Sequence, residues 1–299
     1  MVYIEQNMYV ILNDFVLSEN RSASNTMLDN WIEEISLANT YRFDDGIIGM
    51  GWLIAFLSQN DYLVLDGDID EILSDVDDNV YKVALKTVLE DTPDINFLLQ
   101  LATFFQQRLA NKKSQAHFYR RFTHFECLKL VLGKLNSFLL ADAAGGSNTH
   151  IKVDILLKYS FLLKTCILES VVETAFYATM EELIIYFEYL ETGNELDDKI
   201  RLALSKLLFC SRQYNNPYWI EKLLNIYESL KAESQATIQQ AIWNRLLPNS
   251  IPLTLSIEEY RDYWYTKEGQ QLLFTLFTNI YEFKVPYDKR IYNHSGSGV

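Results

Sequence analysis

The sequence predicts an all-α protein assembled from antiparallel helical hairpins. Apolar residues recur at helical spacing along most of the chain, most cleanly at Phe97, Leu98, Leu101, Phe104, Phe105 and Leu109, the stripe that an amphipathic helix turns toward a core. Only five prolines and eleven glycines punctuate 299 residues, so helices can run without interruption. No stretch alternates apolar and polar residues over the length of a strand. Consecutive helices joined by short loops pack antiparallel, and about five or six such hairpins either stack into an open solenoid or close into an α/α toroid. No fixed repeat length separates those two arrangements.

Taken in order, residues 2–17 carry Ile4, Met8, Ile11, Leu12 and Phe15 at helical spacing. Glu19 to Asn25 reads as a polar break before a second helix through Trp31, Ile32, Ile35 and Leu37. A third spans 46–59. A turn at 65–68 lets Asp68 or Asp70 cap a helix through Ile72, Leu73, Val76, Val80 and Val83. Pro93 and Asp94 open the next, and another runs from His117 to Leu140. Ala141 to His150 is the weakest segment. The helical pattern is alike on both sides of it, so one domain covers 1–299 with a loop at about 141–150. The second half gives helices near 151–170, 173–191, 196–211, 217–230 and 234–246, stopped and started by Gly193, Asn215-Asn216-Pro217 and Pro248. Two more, near 256–264 and 267–281, precede a polar tail. The segments 155–168 and 182–190 are apolar nearly all round, which marks an inner layer covered by an outer one.

Composition narrows function mainly by exclusion. A hydrophobic fraction of 49% with 19 Tyr and 17 Phe describes a well-cored chain. The formal net charge of −14 argues against nucleic acid or an anionic membrane as the main partner. Cys127, Cys166 and Cys210 are an odd, widely spaced set in apolar helical contexts, and they read as buried free thiols in a reducing compartment. The amino terminus meets Glu5 and Asp14 without a basic region, unlike a signal peptide. The most apolar run, Ile155 to Val172, is broken by Lys158, Lys164 and Glu169. The expectation is a cytoplasmic location.

Phe43 to Asn60 is the most informative stretch. Asp44 or Asp45 can cap the helix, and Gly46, Gly49 and Gly51 then fall on its first turns. Each glycine costs a helix about 1 kcal/mol relative to alanine, so their presence implies a close approach to the backbone. The run from Asp45-Gly46 through Gly49-Met50-Gly51-Trp52, followed by Asp66-Gly67-Asp68-Ile69-Asp70-Glu71-Ile72-Leu73 and Asp75-Val76-Asp77, resembles the lanthionine synthetase C-like family. The resemblance covers roughly residues 28–80. It implies an α/α toroid, complete or incomplete, whose inner helices begin at the rim of a central cavity, and it makes Asp45, Gly46, Gly49 and Trp52 the candidate binding residues. No second G-x-x-G helix start is found.

Cyclases of that family hold zinc through Cys-x-Gly and Cys-His-Gly contexts. Here Cys127 precedes Leu-Lys, Cys166 precedes Ile-Leu and Cys210 precedes Ser-Arg, so no catalytic or metal residue and no cofactor carries over. The resemblance therefore implies an accessory factor that binds a peptide or protein partner in peptide modification. A divergent peptide cyclase, a glycan-active toroid using paired carboxylates and a helical-repeat scaffold are the alternatives.

Other constellations have plainer readings. His117, His124 and Cys127 share one helical face, but no turn organises them into a zinc site. Asp66, Asp68, Asp70 and Asp77 mimic a calcium loop, yet Glu71 stands where that loop needs glycine. An acidic helix start explains the same residues. Gly46, Gly49 and Gly51 match neither a phosphate loop nor a dinucleotide fingerprint. Tyr260 to Tyr265 reads as aromatic packing between the terminal helices, with a ligand groove as the other possibility.

Overall fold

The computed structural model describes residues 7–18, 20–38, 40–110, 118–141, 148–190, 198–229, 237–246, 260–280 and 283. Among them every regular element is a helix: α1 (Met8–Leu17), α2 (Arg21–Ala38), α3 (Ile47–Gln59), α4 (Ile69–Ile72), α5 (Ser74–Leu89), α6 (Ile95–Ala110), α7 (Phe118–Ala141), α8 (Thr149–Lys164), α9 (Glu169–Leu190), α10 (Asp198–Tyr214), α11 (Pro217–Ser229), α12 (Ile238–Leu246), α13 (Arg261–Trp264) and α14 (Lys267–Asn279). None of these helices is long and apolar enough to cross a membrane. The loop expected at about 141–150 lies mostly outside the described residues.

Contacts sort the helices into two rows. In one row α3, α6, α8, α10 and α12 each touch the next. In the other, α5, α7, α9 and α11 do the same, and α6–α7, α8–α9 and α10–α11 form rungs between the rows. Burial follows this arrangement. Helix α8 buries residues on every face, from Lys152 and Val153 through Leu156, Tyr159 and Leu163, whereas α9 leaves Ile185 and Tyr189 exposed. One apolar cluster takes side chains from α1 through to α14. Trp31, Trp52, Trp219, Trp243 and Trp264 are all within it and almost wholly buried.

Local chemistry accounts for most helix ends. Asn216 accepts from the amides of Tyr218 and Trp219, and Pro217 begins α11 at a position whose amide would be unsatisfied anyway. Asn215, at φ 62°, ends α10. Two readings change. The polar stretch 19–25 is helical from Arg21, because Ser24 is buried against α1 and donates to Asp14; tertiary packing outweighs weak propensity there. The helix expected through 70–85 breaks at Leu73 into α4 and α5.

Helix α14 packs across the first row. Phe274 meets Tyr9, Phe43 and Trp52, and Phe277 meets Phe56, with ring centroids 4.9–5.3 Å apart. Its carboxyl end is held by Lys158 and Gln106, whose Nζ and Nε2 each lie 3.0 Å from the carbonyl of Thr278. That carbonyl is one of the last four of a helix, which have no partner within it. The other Lys158 contact, 3.0 Å to Gln106 Oε1, is also to a neutral acceptor, while Asp154 one turn away pairs with Lys206 at 2.6 Å. Burial accordingly pushes the Lys158 amine down to about 7. Between pH 7 and its ordinary value near 10.5 the unfolded chain holds a proton that the folded chain does not, so this lysine makes stability rise with pH. Between pH 7.5 and 9.5, wild type should gain on Lys158→Met by about 1.4 kcal/mol per pH unit. Urea midpoints at constant m-value measure this, and parallel profiles would show that the amine does not sit in this dry position.

Candidate functional site

The glycine-rich start of α3 is a packing device. Its amino end is satisfied by the loop before it: Ile47 N donates to Thr40 O at 2.8 Å and Gly49 N points to Arg42 O at 3.5 Å. The same loop serves α1, where Met8 N donates to Asp44 O at 2.8 Å. Gly46, not an aspartate, is the N-cap, and no side chain caps this helix. A Cβ on Gly49 would lie 1.6 Å from the carbonyl oxygen of Phe43, and one on Gly46 2.5 Å from the amide of Arg42. Gly51 makes room instead for Val76 of α5 and Phe104 of α6.

The close approach expected at the glycines is therefore present: the partner of Gly46 and Gly49 is the chain's own loop, and that of Gly51 is the side chains of α5 and α6. The same device recurs at α14, where a Cβ on Gly269 would meet the carbonyl of Tyr263 at 2.0 Å. A single glycine there escapes a search for G-x-x-G.

The four residues expected to bind a partner lie together without forming an open site. Trp52 is 1% exposed, stacked on Phe56 and met edge-on by Phe274. Gly46 and Gly49 face the loop, and Asp45 pairs with Arg42 at 2.6 Å. Aromatic burial under α14 takes up the surface that the resemblance assigns to a cavity.

The acidic segment feeds a buried charge network. Asp68 caps α4 by accepting from Asp70 N at 2.8 Å. Asp70 and Asp77 turn inward to Arg108 of α6: Nη2 lies 2.7 Å from Asp70 Oδ1 and 2.9 Å from Asp77 Oδ2, and Nε lies 3.0 Å from Asp77 Oδ1. Residues seven apart on one helix are separated by about 10 Å along its axis, too far for one nitrogen to join two short carboxylates. The break at Leu73 makes the junction possible.

From α7, Arg120 reaches Asp77 at 3.2 Å, and His124 Nε2 lies 3.6 Å from the same carboxylate with Tyr81 Oη 3.2 Å from its Nδ1. Burial pushes the Asp77 carboxyl up against the opposing pull of Arg108 and Arg120. Burial, then the charges of Arg108, Arg120 and Arg121, push His124 down to about 2 and keep its imidazole neutral. Asp77 and His124 are spoken for by this network, which ties α4, α5, α6 and α7 together.

Among the described residues no group of three or more His, Cys, Asp and Glu is arranged to hold a metal ion, and His117 lies outside those residues. Burial raises the Cys127 thiol to about 11 and the Cys210 thiol to about 12. Cys127 on α7, Cys166 in the turn after α8 and Cys210 on α10 belong to no metal-holding group among the described residues, so they do not match the ligand set of the lanthionine synthetase C-like cyclases. The third cysteine departs from expectation: Cys166 is exposed, in the turn between α8 and α9. Tyr260 to Tyr265 fits the packing reading, with Trp264 buried, its carbonyl accepting from Asn13, and Tyr260 under Arg245.

The open surface that stands out is on α7. Phe118 and Tyr119 are 70% and 84% exposed, Phe118 and Phe122 stack, and Phe125 continues the stripe one turn on. Phe118, Phe122 and Phe125, together with Leu109, Arg121 and the turn residues Cys166, Ile167 and Leu168, line a cavity of about 300 Å³. The turn is unusual. Ile167 N donates to Leu162 O and Cys166 N to Leu163 O, at 3.0 and 3.2 Å, which is a Schellman ending with cysteine where glycine is the rule. Cys166 and Leu168 hold φ of 55° and 52°, each at a cost of about 1–2 kcal/mol. Sequence reading passed over this site because phenylalanines four and seven apart look like a core stripe.

Comparison of the chain with protein-family models, curated proteins and solved structures finds no match.

Proposed function

We propose that the protein is a binding module for a peptide or protein partner, and that the α7 pocket is where the partner docks. The observation that carries this reading is the exposed aromatic stripe of Phe118, Phe122 and Phe125 around an apolar cavity. Leaving one phenylalanine in water forgoes about 1.5–3 kcal/mol, and a clustered apolar surface of this kind marks interaction sites. Two strained non-glycine residues on the cavity wall add support, since backbone strain concentrates at functional positions.

We read this binding as an accessory step of peptide modification without zinc chemistry, a reading supported by the resemblance of the 28–80 stretch to the lanthionine synthetase C-like family. On this reading the two rows of helices form an incompletely closed toroid. Its ends are bridged where Arg245 of α12 covers Tyr260 and Asn13 of α1 donates to Trp264, and α14 packs against α1, α8 and α13. The cytoplasm suits the three free cysteines.

The test is selection of displayed helical peptides on the full chain, with counter-selection on a Phe122→Ser, Phe125→Ser double variant. Enriched peptides should lose binding to the variant while its urea midpoint stays near wild type. If every enriched peptide binds both proteins equally, the pocket is not the docking site.

A further inference from the structure

We infer that a cavity between α6, α8, α10 and α14 captures a short hydroxyaldehyde as an imine on Lys158. The site is separate from the α7 pocket, and no residue lines both. Its volume is about 170 Å³, room for roughly five waters at about 30 Å³ each and so for a molecule of a few carbons. Thr103 of α6, Asp154 and Lys158 of α8, Lys206 of α10, and Thr275 and Asn279 of α14 line it. Asp154 and Lys206 are part-exposed and mark its mouth, whereas Lys158 is buried.

The surroundings of Lys158 leave its amine nucleophilic. Its contacts among the described residues, Gln106 Oε1 and the Thr278 carbonyl, are both acceptors. A neutral amine donates both of its N–H groups to them and keeps its lone pair. Asp154 and Lys206, the other titratable groups on the cavity wall, pair with each other at 2.6 Å. On the neighbouring helices Arg108 is taken by Asp70 and Asp77, and Glu182 by Lys152. With no carboxylate of its own, the buried amine falls to about 7, the state in which lysines form imines.

The rest of the wall selects the carbonyl compound. Thr103 and Thr275 donate their hydroxyls to carbonyls of their own helices at 2.8 Å. Asn279 Oδ1 has no hydrogen-bond partner among the described residues. Acceptors left open in this way are matched by O–H groups on a ligand. Lys206 is already paired with Asp154, so the wall favours a neutral hydroxyaldehyde over a 2-oxo acid. In the reaction, the Nζ lone pair bonds to the carbonyl carbon, and the carbonyl oxygen takes one proton from the nitrogen. The oxygen then leaves with the second as water, and a C=N bond remains. One amine and one aldehyde give one imine and one water, with no oxidant or reductant.

The test is reductive trapping on the full chain, with glycolaldehyde as the probe, sodium cyanoborohydride as the trap and peptide mass spectrometry as the readout. At pH 7 an ordinary lysine near 10.5 is neutral roughly a thousandfold less often than Lys158. Lys158 should therefore be modified at least about tenfold faster than any other lysine, levelling off above about pH 8 while the others keep rising. Propanal, which lacks the hydroxyl, should modify it several-fold more slowly. Thr275→Leu, which fills the cavity, should slow Lys158 alone without shifting the urea midpoint. Lys158 left unmodified while other lysines react, or modification of all lysines at one rate, would overturn the proposal. Equal rates for propanal and glycolaldehyde would overturn the hydroxyaldehyde as the ligand. None of these outcomes bears on the α7 pocket.

Discussion

Arg108→Ala is expected to destabilise the protein by about 3–5 kcal/mol, the range for removing one partner of a buried ion pair. The guanidinium is fully buried, and it is shared by Asp70 and Asp77, themselves 3% and 0% exposed. Removing it takes the shared cation from two buried carboxylates, while Arg120 and His124 remain beside Asp77. Desolvation makes this costly, because an unpaired buried charge loses its hydration and gains nothing in return. Replacing the whole set, Arg108→Met with Asp70→Leu and Asp77→Leu, should cost much less than Arg108→Ala alone, since apolar packing can substitute for a buried ion cluster. Urea denaturation gives both values, with the m-value checked for constancy. A loss below about 1 kcal/mol for Arg108→Ala would place the pair in the class of exposed salt bridges and contradict the packing described.

Gly49→Ala is expected to destabilise by about 3 kcal/mol, the upper end of ordinary overpacking. Propensity alone points the other way, favouring alanine by about 1 kcal/mol. Packing wins because the new Cβ would sit 1.6 Å from the Phe43 carbonyl. That atom belongs to a loop whose other carbonyls cap α1 and α3, so it cannot retreat without releasing both helix ends. Gly133 supplies the contrast. It lies within α7, is exposed, and has no atom within 4 Å of its would-be Cβ. Gly133→Ala should therefore stabilise by about 1 kcal/mol. Opposite signs for the two variants, read from urea midpoints, identify the glycine that is kept for packing. A stabilised Gly49→Ala would remove the physical reason for the motif.

The sequence alone carried the helical class and most element boundaries, because those rest on local rules. Apolar periodicity over 95–110 and the Asn-Asn-Pro stop at 215–217 act within a few residues and need no knowledge of the rest of the chain. It also carried the fact that Gly46, Gly49 and Gly51 must face something close. What they face was decided by tertiary structure, since a loop carbonyl at Phe43 leaves no compositional trace.

The same division holds for charge and exposure. The acidic stretch at 66–77 was legible as a helix start, but its pairing with Arg108, 31 residues beyond Asp77, depends on α6 arriving beside α5. The α7 pocket was not legible at all. Whether Phe118 and Phe122 are core or surface is set by which helix covers them, and periodicity reads only that they share a face. Trp52 is buried because α14, more than 200 residues later, lies over it. Burial depends on where distant parts of the chain meet, which is why this sequence determines its helices and only the fold decides which of their faces remain open.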